Sequence, residues 1–137
     1  MAIERLPIVF ADGSLSYCQA TASDKPPWRI EFAIDEIGVI ERSGDDLFDC
    51  LREIAGELRT HGARICCNGM RRDVRPSPMA RESGGAKFVY QFKIGEPADP
   101  RSVLPLLGEA PCESTVSPEE QDAFYERWVS SVGRSGE

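Results

Sequence analysis

The start of the chain contains three successive stretches with strand patterning and no helical pattern between them. Residues 6–10 alternate apolar with other side chains, and a second β-prone run follows the Asp12-Gly13 step, a dipeptide that favours a hairpin turn. Residues 28–34 carry an apolar side chain at every second position, which predicts a half-buried strand. We expect the residues that follow to extend this strand or to bend it at Gly38.

Two stretches have helical patterning. Residues 43–62 repeat apolar side chains at helical spacing, with Ser43 or Gly44 placed to cap the start and Gly62 placed to end the helix. Residues 117–132 open with Ser-Pro-Glu-Glu, which supplies a capping hydroxyl, a proline at the first helical position and a capping-box acid. The aromatic side chains of this second helix are expected to pack in the core.

Two further strands are predicted within residues 63–69 and 87–95. In the second of them the aromatic residues fall on one face, which we expect to be buried. The proline-rich text after it leaves room for a short turn of helix around residues 100–107.

The order of these elements decides the fold class. The predicted order is strand, strand, strand, helix, strand, strand, helix. This order lacks the regular alternation of a doubly wound fold and therefore predicts an α+β fold. We expect an antiparallel or mixed sheet of about five strands with two main helices packed on it. The 137 residues suit a single domain, residues 1–137, whose last residues, 133–137, should fray.

The number and spacing of the cysteines indicate free thiols rather than disulfide bridges. Their number, five, is odd, and no CxxC spacing occurs, a pattern that favours reduced, partly buried thiols over a disulfide framework. Cys66 and Cys67 are adjacent, so on a strand they should point to opposite faces, one to the core and one to solvent. No metal site is predicted, because there is one histidine and no paired ligand spacing.

Several classes of protein are excluded by what the sequence lacks. No apolar run approaches the roughly 20 residues that cross a bilayer, so no membrane span is predicted. The N-terminus has no basic stretch followed by a long apolar core, so we expect a cytoplasmic protein. Neither a glycine-rich turn after the first strand nor a P-loop sequence occurs, and we therefore predict no cofactor.

Positive charge is concentrated in one part of an acidic chain. Residues 57–93 hold eight basic and three acidic side chains, whereas the whole chain has a net charge of −7. Most of the basic side chains surround the connection formed by residues 70–86, which exceeds the ~12 to 15 residues at which unstructured loops become uncommon. Pro76 and Pro78 stiffen this connection and disfavour helix around them. Loops of this length tend to be functional or disordered.

The arginine-rich connection is the candidate ligand site. Arginine forks suit carboxylate and phosphate oxygens, hydroxyls add donors, and glycines permit close approach of a ligand. The commoner fate of such charges is to pair with acidic helices on a solvated face. The residues of the predicted anion site are Asn68, Arg71, Arg72, Asp73, Arg75, Ser77, Arg81, Gly84, Gly85 and Lys87.

Catalysis and nucleic-acid binding have less support. A Cys67 nucleophile with His61 as its base would need both side chains to meet across a turn, and His61 more simply complements the negative end of a helix. We therefore predict no catalytic residues. Nucleic acid is an unlikely partner, because the overall negative charge would repel phosphates.

Residues 67–90 resemble a known sequence pattern. They match the form CNG-x-R-x-DV-x-PS-x-M-x-R-x-x-GG-x-K, and Phe88 and Val89 then stand before the tyrosine that closes it. The pattern is similar to one in small uncharacterised bacterial proteins, some of which look like immunity partners in polymorphic-toxin loci. The resemblance implies that these residues act together, and it implies no catalytic residues.

Three hypotheses about function remain. The first is a non-enzymatic binding protein of the toxin-immunity type, whose acidic surface complements a basic partner such as a nuclease toxin. The alternative is a small enzyme or sensor that binds a phosphate- or carboxylate-bearing ligand at residues 70–87. The third is a homodimer in which the arginines of one copy meet the acidic helix of another, next to exposed strand edges.

Overall fold

The computed structural model describes residues 2–133, and only the backbone of Ala2 and Gly133. Apart from that backbone, the residues predicted to fray, 133–137, lie outside this range. The strands are β1 (Ala2–Phe10), β2 (Leu15–Ala22), β3 (Trp28–Ile34), β4 (Gly38–Gly44), β5 (Ala63–Ile65), β6 (Val74–Arg75), β7 (Phe88–Gln91) and β8 (Val103–Pro105), and the helices are α1 (Leu47–Thr60), α2 (Pro78–Gly84) and α3 (Pro118–Gly133).

The larger sheet has five antiparallel strands in the order β4-β3-β2-β1-β5. Cys18 lies opposite Leu6 on one side and Ile34 on the other, so the alternating apolar residues of neighbouring strands share one face. This face is buried, and α1 packs its own buried stripe, including Leu51 and Ile54, into the same core. The predicted α+β fold, with helices packed on a sheet of five strands, is confirmed.

Turn residues shape two of the three hairpins of this sheet. The predicted Asp12-Gly13 turn joins β1 to β2, and Gly13 has the positive φ of 86° that such a turn favours. The expected extension or bend of β3 is wrong. The chain instead reverses at residues 35–37, Gly38 takes a φ of 112°, and the next residues return as β4. The positive φ is the local reason why the strand cannot simply continue.

The limits of α1 follow from its flanking strands. Asp46, rather than Ser43 or Gly44, is the N-cap, and its carboxylate accepts from the Asp49 amide at 2.8 Å. The predicted caps are unavailable because β4 keeps both of those residues in the sheet. Gly62, with a φ of 70°, ends the helix as predicted.

The segment predicted as a long loop is folded. Ser77 accepts from the Ala80 amide at 3.1 Å and Pro78 occupies the first turn, so α2 forms where proline was expected to oppose a helix. Proline is compatible with the first helical position, because the amide it lacks has no intrahelical partner there. The short helix expected around residues 100–107 is also wrong, since β8 pairs there with β7.

A second sheet, in the order β6-β7-β8, follows from this pairing. The aromatic face of β7 was expected to be buried, but Val89 is fully buried whereas Phe88 is 52% exposed and Ile94 is 43% exposed. Two consecutive residues with positive φ, Gly85 and Ala86, precede the strand and set the face that it turns to the core.

A disulfide joins Cys66 to Cys112 across 46 residues of sequence, so the prediction of five reduced cysteines is wrong. The pairing depends on tertiary contact, shown by the Ala110 amide that donates to the Cys66 carbonyl at 3.1 Å. Cys66 and Cys67 are both fully buried, which also contradicts the expectation that one would face solvent. Because disulfides persist mainly in oxidising compartments, the bridge weighs against the cytoplasmic location, which stays a prediction.

Within residues 2–133, none of the helices has the length and apolar character that a membrane crossing requires.

We expect Gly85→Ala to destabilise the fold by about 3 kcal/mol, from a disfavoured φ and from overpacking. Gly85 has a φ of 69°, and a methyl group there would lie 2.5 Å from carbons of the Trp28 indole. The matched control is Gly84→Ala, which meets no atom within 4 Å and should be neutral or stabilising by up to about 1 kcal/mol. Urea denaturation of both variants measures the difference, and equal stabilities would contradict this packing.

Mass mapping without reduction should recover one bridge, Cys66–Cys112, and free thiols at Cys18, Cys50 and Cys67. Replacing both bridged cysteines by serine should lower the free energy of unfolding by about 2 to 4 kcal/mol, because the bridge closes a long loop. A protein that yields five free thiols when denatured under non-reducing conditions would refute the assignment.

Candidate functional site

Two arginines of the predicted anion site meet around one aromatic ring. The guanidinium carbons of Arg75 and Arg81 lie 5.8 and 5.1 Å from the ring centroid of Phe48, and that of Arg52 lies 5.4 Å from it. Phe48 is fully buried in the first turn of α1. The three arginines come from α1, β6 and α2, so this ring is the point at which these elements converge. We call Phe48 and these arginines the arginine cluster.

Three carboxylates neutralise the arginine cluster: Asp122 on α3, Asp49 on α1, and Asp46, which is the N-cap of α1. Asp122 accepts from Arg75 Nη2 at 2.7 Å and from Arg52 Nη2 at 2.8 Å, one through each carboxylate oxygen. Arg81 Nη1 lies 3.3 Å from Asp46 Oδ2 and 3.6 Å from an oxygen of Asp49. The Arg52 and Arg75 side chains are only 18% and 17% exposed, whereas the Asp122 side chain that they share is 48% exposed, so these ion pairs lie at the boundary between the interior and solvent.

Burial and charge shift the two main carboxylates in opposite directions. Burial raises the pKa of Asp122, but hydrogen bonds and charges from Arg52 and Arg75 outweigh burial and hold that pKa below its usual value. For Asp46, burial is the dominant effect and raises the pKa, although the Asp49 amide and the Arg81 charge act against it. Of these two carboxylates, Asp122 is therefore the one that stays ionised to lower pH.

The remaining predicted residues lie elsewhere and are engaged individually. Arg71 Nε donates to Asp73 at 3.2 Å, and Arg72 lies over the Phe124 ring with 5.8 Å to its centroid. Lys87 Nζ donates to the Asp24 carbonyl at 2.8 Å. These cations therefore do not face a common recess with the arginine cluster.

The uncharged predicted residues shape the backbone rather than a ligand site. Asn68 is 8% exposed and its side-chain amide donates to the Pro105 carbonyl at 3.1 Å. Ser77 caps α2, Gly84 ends that helix, and Gly85 packs against Trp28. The commoner alternative, in which surface charges pair with acidic helices, describes this segment better than an anion site does. A free anion at Arg71, Arg75 or Arg81 would compete with the carboxylates that already pair with these arginines.

The Cys67 nucleophile is also unsupported. Cys67 is fully buried, and burial raises its pKa to about 12. The same effect raises the pKa of Cys18 to about 12 and that of Cys50 to about 11. Since only a thiolate attacks, none of these thiols is prepared for catalysis. Among the residues from 2 to 133, no three histidine, cysteine or acidic side chains converge as a metal site.

Sequence reasoning missed Arg52, a member of the cluster, and Asp122, which pairs with it. It also missed Gln121, whose side chain ties α3 to the backbone of residues 69–71. Gln121 is fully buried, and its side-chain amide donates to the Gly69 and Arg71 carbonyls at 2.7 and 2.8 Å. A signal was present, because Gln121 lies at helical spacing from Phe124 and Trp128 and so falls on the face predicted to be apolar. Nothing comparable marks Arg52 or Asp122 in the sequence.

No family model matches the chain, and comparison with curated proteins finds no match either. The resemblance of residues 67–90 to immunity-type proteins therefore stays a prediction.

We expect Asp122→Asn to lower the free energy of unfolding by about 1 to 2 kcal/mol, because it leaves two largely buried guanidinium groups without their carboxylate. The matched control is Asp99→Asn, which breaks the pair with Arg101, a side chain 89% exposed, and should leave the midpoint of urea unfolding unchanged.

The loss of stability in Asp122→Asn should depend on pH. The folded pKa of Asp122 is lowered, so its stabilisation is present above the unfolded value of about 4 and is lost as the pH falls through the folded pKa. Urea titrations from pH 7 downward should show the gap between wild type and Asp122→Asn narrowing below about pH 4. A gap that is constant with pH would show that this carboxylate is not the stabilising group.

Proposed function

We propose that this protein is a non-enzymatic binding protein of the toxin-immunity type that engages a basic protein partner through its acidic surface. One observation carries the proposal: Asp46, Asp49 and Asp122 pair with the three arginines of the cluster, so these arginines do not offset the charge of the other acidic side chains. The rest of the chain therefore carries the net charge of −7. Complementary charge of this kind raises the rate and specificity of association with a basic partner.

An acidic groove supports this proposal and suggests where contact begins. Asp45, Asp49, Arg52 and Glu53 line a groove of about 470 Å³ beside Pro118, between the end of β4 and the starts of α1 and α3. Three carboxylates against one guanidinium, which already pairs with Asp122, leave this lining with a net negative charge. The charges of the nearby carboxylates contribute, after burial, to the raised pKa of Cys50 beneath them. A lysine or arginine of a partner would be attracted to these carboxylates.

Other functional hypotheses are less well supported by the geometry. A phosphate- or carboxylate-bearing ligand at residues 70–87 would compete with the carboxylates that already hold Arg75 and Arg81. A homodimer formed through the same arginines would have to displace the same carboxylates. Both remain open to direct measurement, the first by thermal shift with anionic ligands and the second by light scattering.

The test is binding to the product of the adjacent reading frame. We expect a 1:1 complex by calorimetry, with an association rate that falls steeply as salt is raised. Asp45→Lys with Glu53→Lys should lower that rate about tenfold, because two attractive charges become repulsive.

The matched control is Glu4→Lys with Glu126→Lys, which makes the same change in net charge at two exposed residues outside the groove. It should lower the rate by about twofold or less. Equal effects of the two variants would remove the groove from the proposal, and the absence of a complex would overturn the proposed partner.

A further inference from the structure

A second cavity lies farther along α3 than the acidic groove and has a different character. Tyr90, Phe92, Tyr125 and Trp128 line it together with prolines, and its volume is about 360 Å³. Ligand sites usually span roughly 300 to 1,000 Å³ and are lined mainly by apolar and aromatic side chains. We call these four residues the aromatic pocket.

The aromatic pocket is held in place by contacts between its own rings and the backbone. The Phe92 ring centroid lies 4.4 Å from that of Trp128 and 5.8 Å from that of Tyr125. Trp128 Nε1 donates to the Glu96 carbonyl at 2.8 Å, which fixes the indole and uses its only donor. A preformed pocket spends little free energy on ordering when a ligand binds.

The residues that line the aromatic pocket contribute negative charge. Asp99 is the charged residue that lines it. A hydrogen bond from Arg101 holds the pKa of Asp99 below its usual value, so the carboxylate is ionised at neutral pH. Arg101 is 89% exposed and donates to both Asp99 oxygens at 3.1 and 3.3 Å, and Lys93 nearby is exposed as well. A cation in the cavity would therefore share Asp99 with these exposed side chains.

We propose that the aromatic pocket binds a small organic cation, an ammonium group with apolar substituents, with Asp99 as its counter-ion. The negative faces of aromatic rings attract such cations, most strongly when several rings surround a desolvated charge. The chain already uses this chemistry, because the Arg75 guanidinium carbon lies 4.5 Å from the Tyr125 ring centroid. Within residues 2–133, no cation occupies the rings of Tyr90, Phe92 or Trp128 in the same way.

Other ligand classes fit the aromatic pocket less well. An anion would be repelled by Asp99 and by the overall charge of the chain. Proline-rich peptides dock on aromatic grooves of this kind, but here the donor of the central tryptophan is already engaged by Glu96. A neutral apolar ligand would fill the volume and leave the ionised carboxylate without a new partner. The cation satisfies both the rings and the carboxylate.

The test is a titration of the intact protein with choline, followed by the indole N–H resonance of Trp128, at constant ionic strength set with sodium chloride. The control ligand is 3,3-dimethylbutan-1-ol, which has the shape of choline without its charge. We expect choline to bind about tenfold more tightly than the neutral compound, the factor that corresponds to one good cation–π site.

Variants separate the contributions of the rings and of the carboxylate. Tyr90→Leu and Asp99→Asn should each weaken choline binding severalfold, whereas Arg101→Ala should strengthen it by releasing Asp99 from its exposed partner. The matched control is Asp12→Asn, an exposed carboxylate on the β1–β2 turn, which should leave binding unchanged. Equal binding of choline and its neutral analogue, or no shift of the Trp128 resonance at any concentration, would overturn the proposal.

A second titration distinguishes two sources of the cation, a modified protein side chain and a free small molecule. A short peptide with one trimethylated lysine is titrated beside the same peptide with unmodified lysine and beside free choline. Tighter binding of the trimethylated peptide than of choline would identify a protein side chain as the ligand, and the reverse order would identify a free small cation. Failure of all three to bind would refute the site without bearing on the acidic groove.

Discussion

The structure depends on one buried aromatic ring and the charges gathered around it. Phe48 anchors the first turn of α1, and guanidinium groups from α1, β6 and α2 stack on it. Asp122 ties two of these arginines to α3, so a single carboxylate links the core helix to the element that covers the second sheet. Burying such groups is favourable only when each charge has a partner, and this requirement explains why the arginines of an acidic chain turn inward.

Most of the larger sheet could be predicted from the sequence, and the second sheet could not. Alternation over β1 and β3, the Asp12-Gly13 turn and the periodicity of α1 are local signals, and their elements lie where expected. β6 has two residues and β8 has three, too few to show any period. Their pairing, like the bridge from Cys66 to Cys112, is determined by contacts distant in sequence, which composition and spacing do not encode.

The candidate site was likewise only partly predictable, because it also depends on contacts between residues distant in sequence. The sequence singled out an unusual concentration of arginines, and the structure brings two of them, Arg75 and Arg81, to one aromatic ring. Whether such charges face solvent or a carboxylate is decided by the partner that the fold brings to them, here Asp122 from α3 and Asp46 from the start of α1. The charge pattern therefore indicated an important segment but not its role, which is to connect helices.

The bridge between Cys66 and Cys112 has a consequence for the integrity of the chain. It encloses α2, the second sheet and the arginines on β6 and α2 within one covalent ring. A protease that cuts at any point between the two cysteines would yield pieces that still migrate together until a reductant is added. The part of the molecule richest in arginine, and so most inviting to trypsin-like enzymes, is the part whose cleavage products the fold retains.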